Sequence, residues 1–162
     1  MKFGLFILPS WSEDSKHEQS RILGEAVEQV QYAEELGFDS VWLAEHHFCR
    51  FGIVPNALSM GLYVAAKTKK IRIGTAVSVL TFHNPIFVAE ETALLDALSG
   101  GRLDFGIGRG QVVYEYSNFG VDYETRTEKF GEILDIIIGL WTQSGFTYHG
   151  DFYQIDDLTI AP

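Results

Sequence analysis

Four times along this chain a short apolar run gives way to a longer stretch with helical spacing. The apolar runs are Lys2 to Leu8, Ser40 to Ala44, Ile71 to Val79 and Leu103 to Ile107; the third is rich in β-branched residues, which favour strands. Strands that alternate with helices of this length make right-handed βαβ units and a parallel sheet. Tyr148 to Tyr153, with Gly150 at its centre, then reads as a tight hairpin. A complete (β/α)8 barrel takes around 250 residues. The 162 residues here hold about half of one. We therefore expect an α/β fold: a partial (β/α)8 TIM-type barrel of about four βα units plus a C-terminal hairpin, in one domain over residues 1–162 with no second domain. A doubly wound open sheet of four strands is the structural alternative. In a half-barrel the first and fourth strands are open edges, and the inward side chains lack an opposing layer. A second half, a second copy of the chain or a rearranged dimer has to cover them.

The helix limits follow from local chemistry. Ser15-Lys16-His17-Glu18 is a capping-box pattern that predicts a helix start, and Leu23, Ala26, Val27, Val30, Ala33 and Leu36 then recur on one face up to Gly37. The next helix is predicted over Asn56 to Thr68, with Leu58, Leu62, Ala65 and Ala66 inward. Asn84-Pro85 opens a third that stops at Ser99-Gly100-Gly101. Thr125-Arg126-Thr127-Glu128 is a second capping box, before a helix carrying Phe130, Ile133, Leu134, Ile137, Ile138 and Trp141.

Composition narrows the function. A net charge of −10 argues against a nucleic-acid backbone as partner. Cys49 is the only cysteine, so an intrachain disulfide and a cysteine-based zinc site are both excluded, and a cytoplasmic location is expected. Phe3 to Leu8 is too short for a signal core, no cleavage site follows it, and no segment reaches the roughly 20 apolar residues of a membrane span.

The chemistry-bearing residues fall at strand ends. Glu45-His46-His47-Phe48 follows the second strand, where parallel sheets collect catalytic groups. His46 either packs in the barrel mouth or, as a neutral imidazole, takes a proton from a reacting group. His47 would point away and orient the loop. Glu45 is either a buried acceptor or the partner of an arginine. Metal ligation by Glu45, His46, His47 and His83, as in a metal-dependent hydrolase, is a further reading, but no His-x-His or His-Glu-x-x-His spacing supports it.

Gly106-Ile107-Gly108-Arg109-Gly110 follows the fourth strand. It is not the dinucleotide fingerprint, whose last glycine position falls on Gln111 or Val113. It is a tight turn with a solvated arginine, or it sets Arg109 against an anion or an electron-rich ring edge. Arg126, in a helix's first turn, is a surface residue or a phosphate ligand. Thr75-Ala76-Val77-Ser78 could leave a flat wall for a planar ring. Phe82-His83-Asn84-Pro85 reads as a turn and cap. Cys49 reads as inert.

Taken in order, several stretches resemble the bacterial-luciferase-like family of flavin-dependent monooxygenases. They are Met1-Lys2-Phe3-Gly4, Gly37 to Leu43 before Glu45-His46-His47-Phe48, Phe51-Gly52, Ile73 to Val77, Leu94-Leu95-Asp96, Ser99 to Arg102, Phe105 to Gly110, Asn118-Phe119-Gly120 and the Glu132 to Trp141 helix. The resemblance covers the N-terminal half of the family's barrel. It implies a site for reduced FMN at the strands' C-terminal mouth. There the flavin, reduced by a partner flavin reductase, would use O2 to oxygenate a small organic substrate, an aldehyde in the luciferases. By position His46 would be the catalytic histidine. Glu45, Ala76, Val77 and Arg109 would line the flavin, and Arg126 would reach its phosphate. A cis peptide at Ala76-Val77 and a homodimer through the second and third helices are also implied. The alternative is a half-barrel that binds flavin weakly or not at all and does no catalysis.

Overall fold

A computed structural model describes all of residues 1–162. In chain order the elements are β1 (Gly4–Ile7), α1 (Gln19–Glu35), β2 (Ser40–Leu43), α2 (Ala57–Lys67), β3 (Arg72–Thr75), β4 (Ser78–Val79), a 3-10 turn (Leu80–Phe82), α3 (Pro85–Ser99), β5 (Leu103–Asp104), β6 (Ile107–Gly108), α4 (Val113–Phe119), α5 (Arg126–Thr142), β7 (Phe146–His149) and β8 (Gln154–Leu158). The chain divides into two compact units, Met1–Ser78 with Leu95–Ile107, and Val79–Leu94 with Gly108–Pro162.

The first unit is built on a four-stranded parallel sheet in the order β1-β2-β3-β5. Each strand lies beside the next one in the chain, as in a barrel; a doubly wound sheet reverses its order. In register, Phe6, Trp42, Gly74 and Asp104 share one row. The alternate residues Ile7, Val41, Leu43 and Ile73 bury against Ala26, Val30 and Ala33 of α1 and Ala57 and Val64 of α2. On the opposite face the Trp42 indole lies over Gly74, where a Cβ would run into it, and its Nε1 donates to Ser40 Oγ at 3.0 Å. Arg72 grips Asp104 there with Nε and Nη2, each at 2.7 Å.

Of the three predicted caps one forms, at Asn84, and the structure adds one at Asn56, which the sequence reading puts inside the helix. Asn56 Oδ1 accepts from Ser59 N at 2.8 Å and Asn84 Oδ1 from Ile86 N at 2.9 Å, so α3 begins as the sequence predicts and α2 begins at Ala57. Ser15 instead closes a turn, its amide on Ser12 O and its hydroxyl taking His17 N, so α1 starts only at Gln19 without a side-chain cap. Thr125 precedes α5 but its side chain does not cap it; its hydroxyl reaches back to Asp122 O at 3.4 Å.

Gly37 ends α1 as expected, at φ 83°, with Phe38 N on Ala33 O at 3.0 Å. Leu36, expected inward, is exposed, because the helix has already ended at Glu35. In α2 the buried side is Ala57, Leu58, Gly61 and Val64, one step round from the predicted one, and Ala66 faces solvent; at Gly61 a Cβ would stand 3.0 Å from Leu95 Cδ2. The third strand is shorter than predicted. After Thr75 the chain turns through a cis Ala76–Val77 peptide and resumes as β4. The fourth is likewise interrupted between β5 and β6.

The second unit centres on α5, which buries Ile133, Ile136, Ile137 and Leu140. Ile138 and Trp141, predicted inward, are each more than two-fifths exposed, though the Trp141 indole N–H donates to Ala89 O in α3 at 3.0 Å. The predicted hairpin is present as antiparallel β7 and β8, with His149 opposite Gln154. The sequence reading missed α4, a seven-residue helix closed by Gly120 at φ 67°. No helix is long and apolar enough to cross a membrane.

Candidate active site at the carboxyl ends of the strands

In the first unit the strand ends carry the expected groups. β2 runs straight into Ala44 and Glu45, and Ala76 N donates to Leu43 O at 2.7 Å, which fixes the end of β3 beside it. Glu45 is buried, and its Oε1 lies 3.2 Å from Nε2 of the buried His47. The two side chains form a buried hydrogen-bonded pair. Glu45 thus takes a histidine as partner.

His46 is half-buried, with its amide on Val54 O at 3.1 Å. Gly52 packs directly on it: a Cβ there would stand 2.7 Å from His46 Cδ2, and the backbone is at φ 88°. The Phe51 ring sits 5.9 Å from the imidazole, tilted by 51°. Phe48 is the one bulky residue of this loop with a left-handed backbone, φ 55°, which costs on the order of 1–3 kcal/mol.

Around β3 the surface is made of small groups. Thr75 Oγ1 donates to Gly106 O at 2.7 Å and accepts from Gly106 N at 3.0 Å. A Cβ on Gly106 would strike the Thr75 carbonyl, so only glycine lets β5's end approach so closely. Ala76 is half-buried and Val77 is exposed. Thr75 and Ser78 are buried and Gly106 is half-buried, so Ala76 and Val77 are the residues of this segment that reach the surface.

Arg109 and Arg126 belong to the second unit and meet around the start of α5. Arg109 Nη1 donates to Thr127 Oγ1 at 2.7 Å. Arg126 lies over the Tyr123 ring at 3.7 Å and donates to the Tyr123 carbonyl. Burial pushes the Lys129 ammonium, one turn further on, below its ordinary pKa. Two guanidinium groups at a 17-residue helix's N-terminus suit a phosphate monoester. The loop before them is fixed from behind: Thr81 Oγ1 donates to Arg109 O at 2.8 Å, and the buried Tyr116 hydroxyl donates to the same carbonyl. Sequence reasoning missed both hydroxyls, since single residues on separate elements give no local pattern.

Comparison with known proteins agrees with this geometry. The model of the luciferase-like monooxygenase family matches residues 1–162. The oxygenase component of a flavin-dependent trigonelline monooxygenase from Acinetobacter baylyi is 35% identical over 100% of this chain and 45% of its own length. Among solved structures, the monooxygenase RslO1 from Streptomyces bottropensis superposes with a TM-score of 0.95 at 29% identity, over 100% of this chain and 49% of that one. The oxygenating constituent of 3,6-diketocamphane monooxygenase from Pseudomonas putida, in complex with FMN, gives 0.88 at 22% identity, over 96% and 43%. The chain spans about half the length of the relatives it matches. With its strand order, its cis Ala76–Val77 peptide and its histidine-bearing strand end, this chain belongs to the luciferase-like monooxygenase family.

Proposed function

We propose that the chain carries the histidine-bearing half of an FMN-dependent monooxygenase site, which oxygenates a small organic substrate with O2 and reduced flavin. The observation that carries this reading is His46 held just past the end of β2, one strand from Ala76, whose amide donates to Leu43 O. Reduced FMN, when bound, supplies the electrons that activate oxygen. Everything else falls to the protein. The segment Ala76–Val77 receives the ring edge, with the backbone beside Glu45 bounding it. Within the second unit, Arg109 and Arg126 at the start of α5 suit a phosphate group. His46 takes a proton at a ring nitrogen from the oxygenated substrate or hydrogen-bonds to it. Glu45 acts by holding His47 and so the loop in which His46 sits.

Reduced flavin is supplied by a separate reductase; the naming of the trigonelline relative as an oxygenase component supports this. The chain acts as a homodimer or with a complementary barrel half. β1 pairs only with β2 and β5 only with β3 in the sheet, so both have an edge to share.

Fluorescence titration of FMN, oxidised and then reduced, tests the site. Saturable binding is expected, weakened about tenfold or more in Arg109→Ala, which loses a charge-assisted contact to the phosphate. Absence of binding at high micromolar flavin would leave a non-catalytic half-barrel.

A further inference from the structure

We propose that Tyr116 is a positioning residue that holds Arg109 and Arg126 at one spacing, so that the two guanidinium groups close on a single phosphate monoester. This rests on the reading of the two arginines as the phosphate site. The preference of the chain for FMN over riboflavin then depends on one buried side chain. All the residues concerned lie in the second unit.

Tyr116 is 1% exposed, although most of α4 faces solvent. Its hydroxyl donates to Arg109 O and lies 3.0 Å from Thr81 Oγ1, which donates to the same carbonyl at 2.8 Å. A carbonyl oxygen has two lone pairs, so both acceptor positions on Arg109 O are taken. Gly110 follows at φ 78°, and a Cβ there would stand 3.4 Å from Tyr116 Oη. The turn that carries Arg109 therefore rests on the phenol. The same ring reaches the second arginine. It meets the Tyr123 ring edge-on, with centroids 5.1 Å apart and planes at 88°. The Arg126 guanidinium lies over that Tyr123 ring at 3.7 Å. Val121 N donates to Tyr116 O at 3.0 Å, which ties the turn leading to Tyr123 to the same residue, and Phe82 packs on the phenol edge-on at 4.8 Å.

A phenylalanine would fill the same space. Burying a hydroxyl costs free energy unless it is bonded, so this oxygen is stable here only through its bonds at the Arg109 carbonyl. An arginine loses rotamer freedom when it grips an anion, and the loss is smaller when the backbone that carries it is already fixed. Both arginines also have resting contacts beside the start of α5, Arg109 on Thr127 Oγ1 and Arg126 on Tyr123. A phosphate monoester, close to a dianion at neutral pH, has oxygens enough for both guanidinium forks. Riboflavin has the ring system and the ribityl chain without the phosphate, so it gains nothing from the clamp.

Fluorescence titration of the full chain with FMN and with riboflavin reads the two parts of the ligand separately. Tyr116→Phe, which keeps the ring, is expected to weaken FMN about fivefold and to leave riboflavin within about twofold. Tyr116→Leu, which removes ring and hydroxyl together, should weaken FMN about 20-fold. In an Arg109→Ala background Tyr116→Phe should have no further effect on FMN, because no guanidinium is left to aim; a hydroxyl that only stabilises the fold would cost the same in both backgrounds. FMN affinity that survives both Tyr116 variants, an equal loss for riboflavin, or full additivity with Arg109→Ala overturns the proposal and leaves the two-arginine site standing. If the unaltered chain binds no FMN, the same variants are titrated with inorganic phosphate and followed at the arginine Nε–H NMR resonances. Phosphate shifts that depend on Tyr116 then uphold its role where the FMN reading has failed, and their absence overturns both.

Discussion

At the scale of single residues, His46 and Gly52 form one device. The glycine's missing Cβ and its φ of 88° are both needed for the loop to close on the imidazole and on Leu8 Cδ1, 2.9 Å from where a Cβ would stand. Gly52→Ala is therefore expected to move the His46 ring resonances and to destabilise the fold by about 1–3 kcal/mol, checked by NMR and urea unfolding. His46→Ala should slow oxygenation by roughly 100-fold while flavin affinity stays within twofold, checked by single-turnover kinetics beside the titration. The Glu45-His46-His47 block could be placed from sequence because it follows an apolar run. Tyr116 could not: its partners come from separate segments, and no local spacing joins them.

At the scale of elements, the sequence reading located helices better than their ends. Asn84 caps as predicted, whereas Ser15 and Thr125 find nearer backbone partners, and a capping box cannot reveal that competition. The four-strand alternation was legible, but the breaks after Thr75 and Asp104 were not, because they depend on a close contact between Thr75 and Gly106. Arg102 shows an element held from outside. Its guanidinium donates to Ala65 O, Thr68 O, Thr68 Oγ1, Ile71 O and Ser99 O, closing the C-terminus of α2 onto the start of β5. A lysine offers a single point charge and cannot span that fork. Arg102→Lys should cost about 2–3 kcal/mol, read from the shift of the urea midpoint at constant slope.

At the scale of the molecule, composition and alternation identified a barrel-type chain, and the strand order shows it. Why one face of the sheet keeps Phe6 more than half exposed was also legible, since a half-barrel leaves its inward row without an opposing layer. Light scattering at micromolar concentration should accordingly show a particle of twice the chain mass; a well-folded monomer would exclude the homodimer.

The grip of Glu34 on the chain before β3 has a consequence for how this unit opens. Its carboxylate accepts from the successive amides of Lys69, Lys70 and Ile71 at 2.6–3.1 Å. Burial pushes its pKa up, but those amides and Arg102 outweigh it and hold the group below its ordinary value. The contact is thus fully present above the ordinary carboxylate range and is lost as pH falls through the lowered pKa. Lys69 and Lys70 are surface residues whose amides would otherwise exchange with solvent deuterium within seconds. They should be protected at neutral pH, and that protection should vanish in Glu34→Gln. A deuterium label at these positions would then time the undocking of α1 from the sheet, separately from global unfolding.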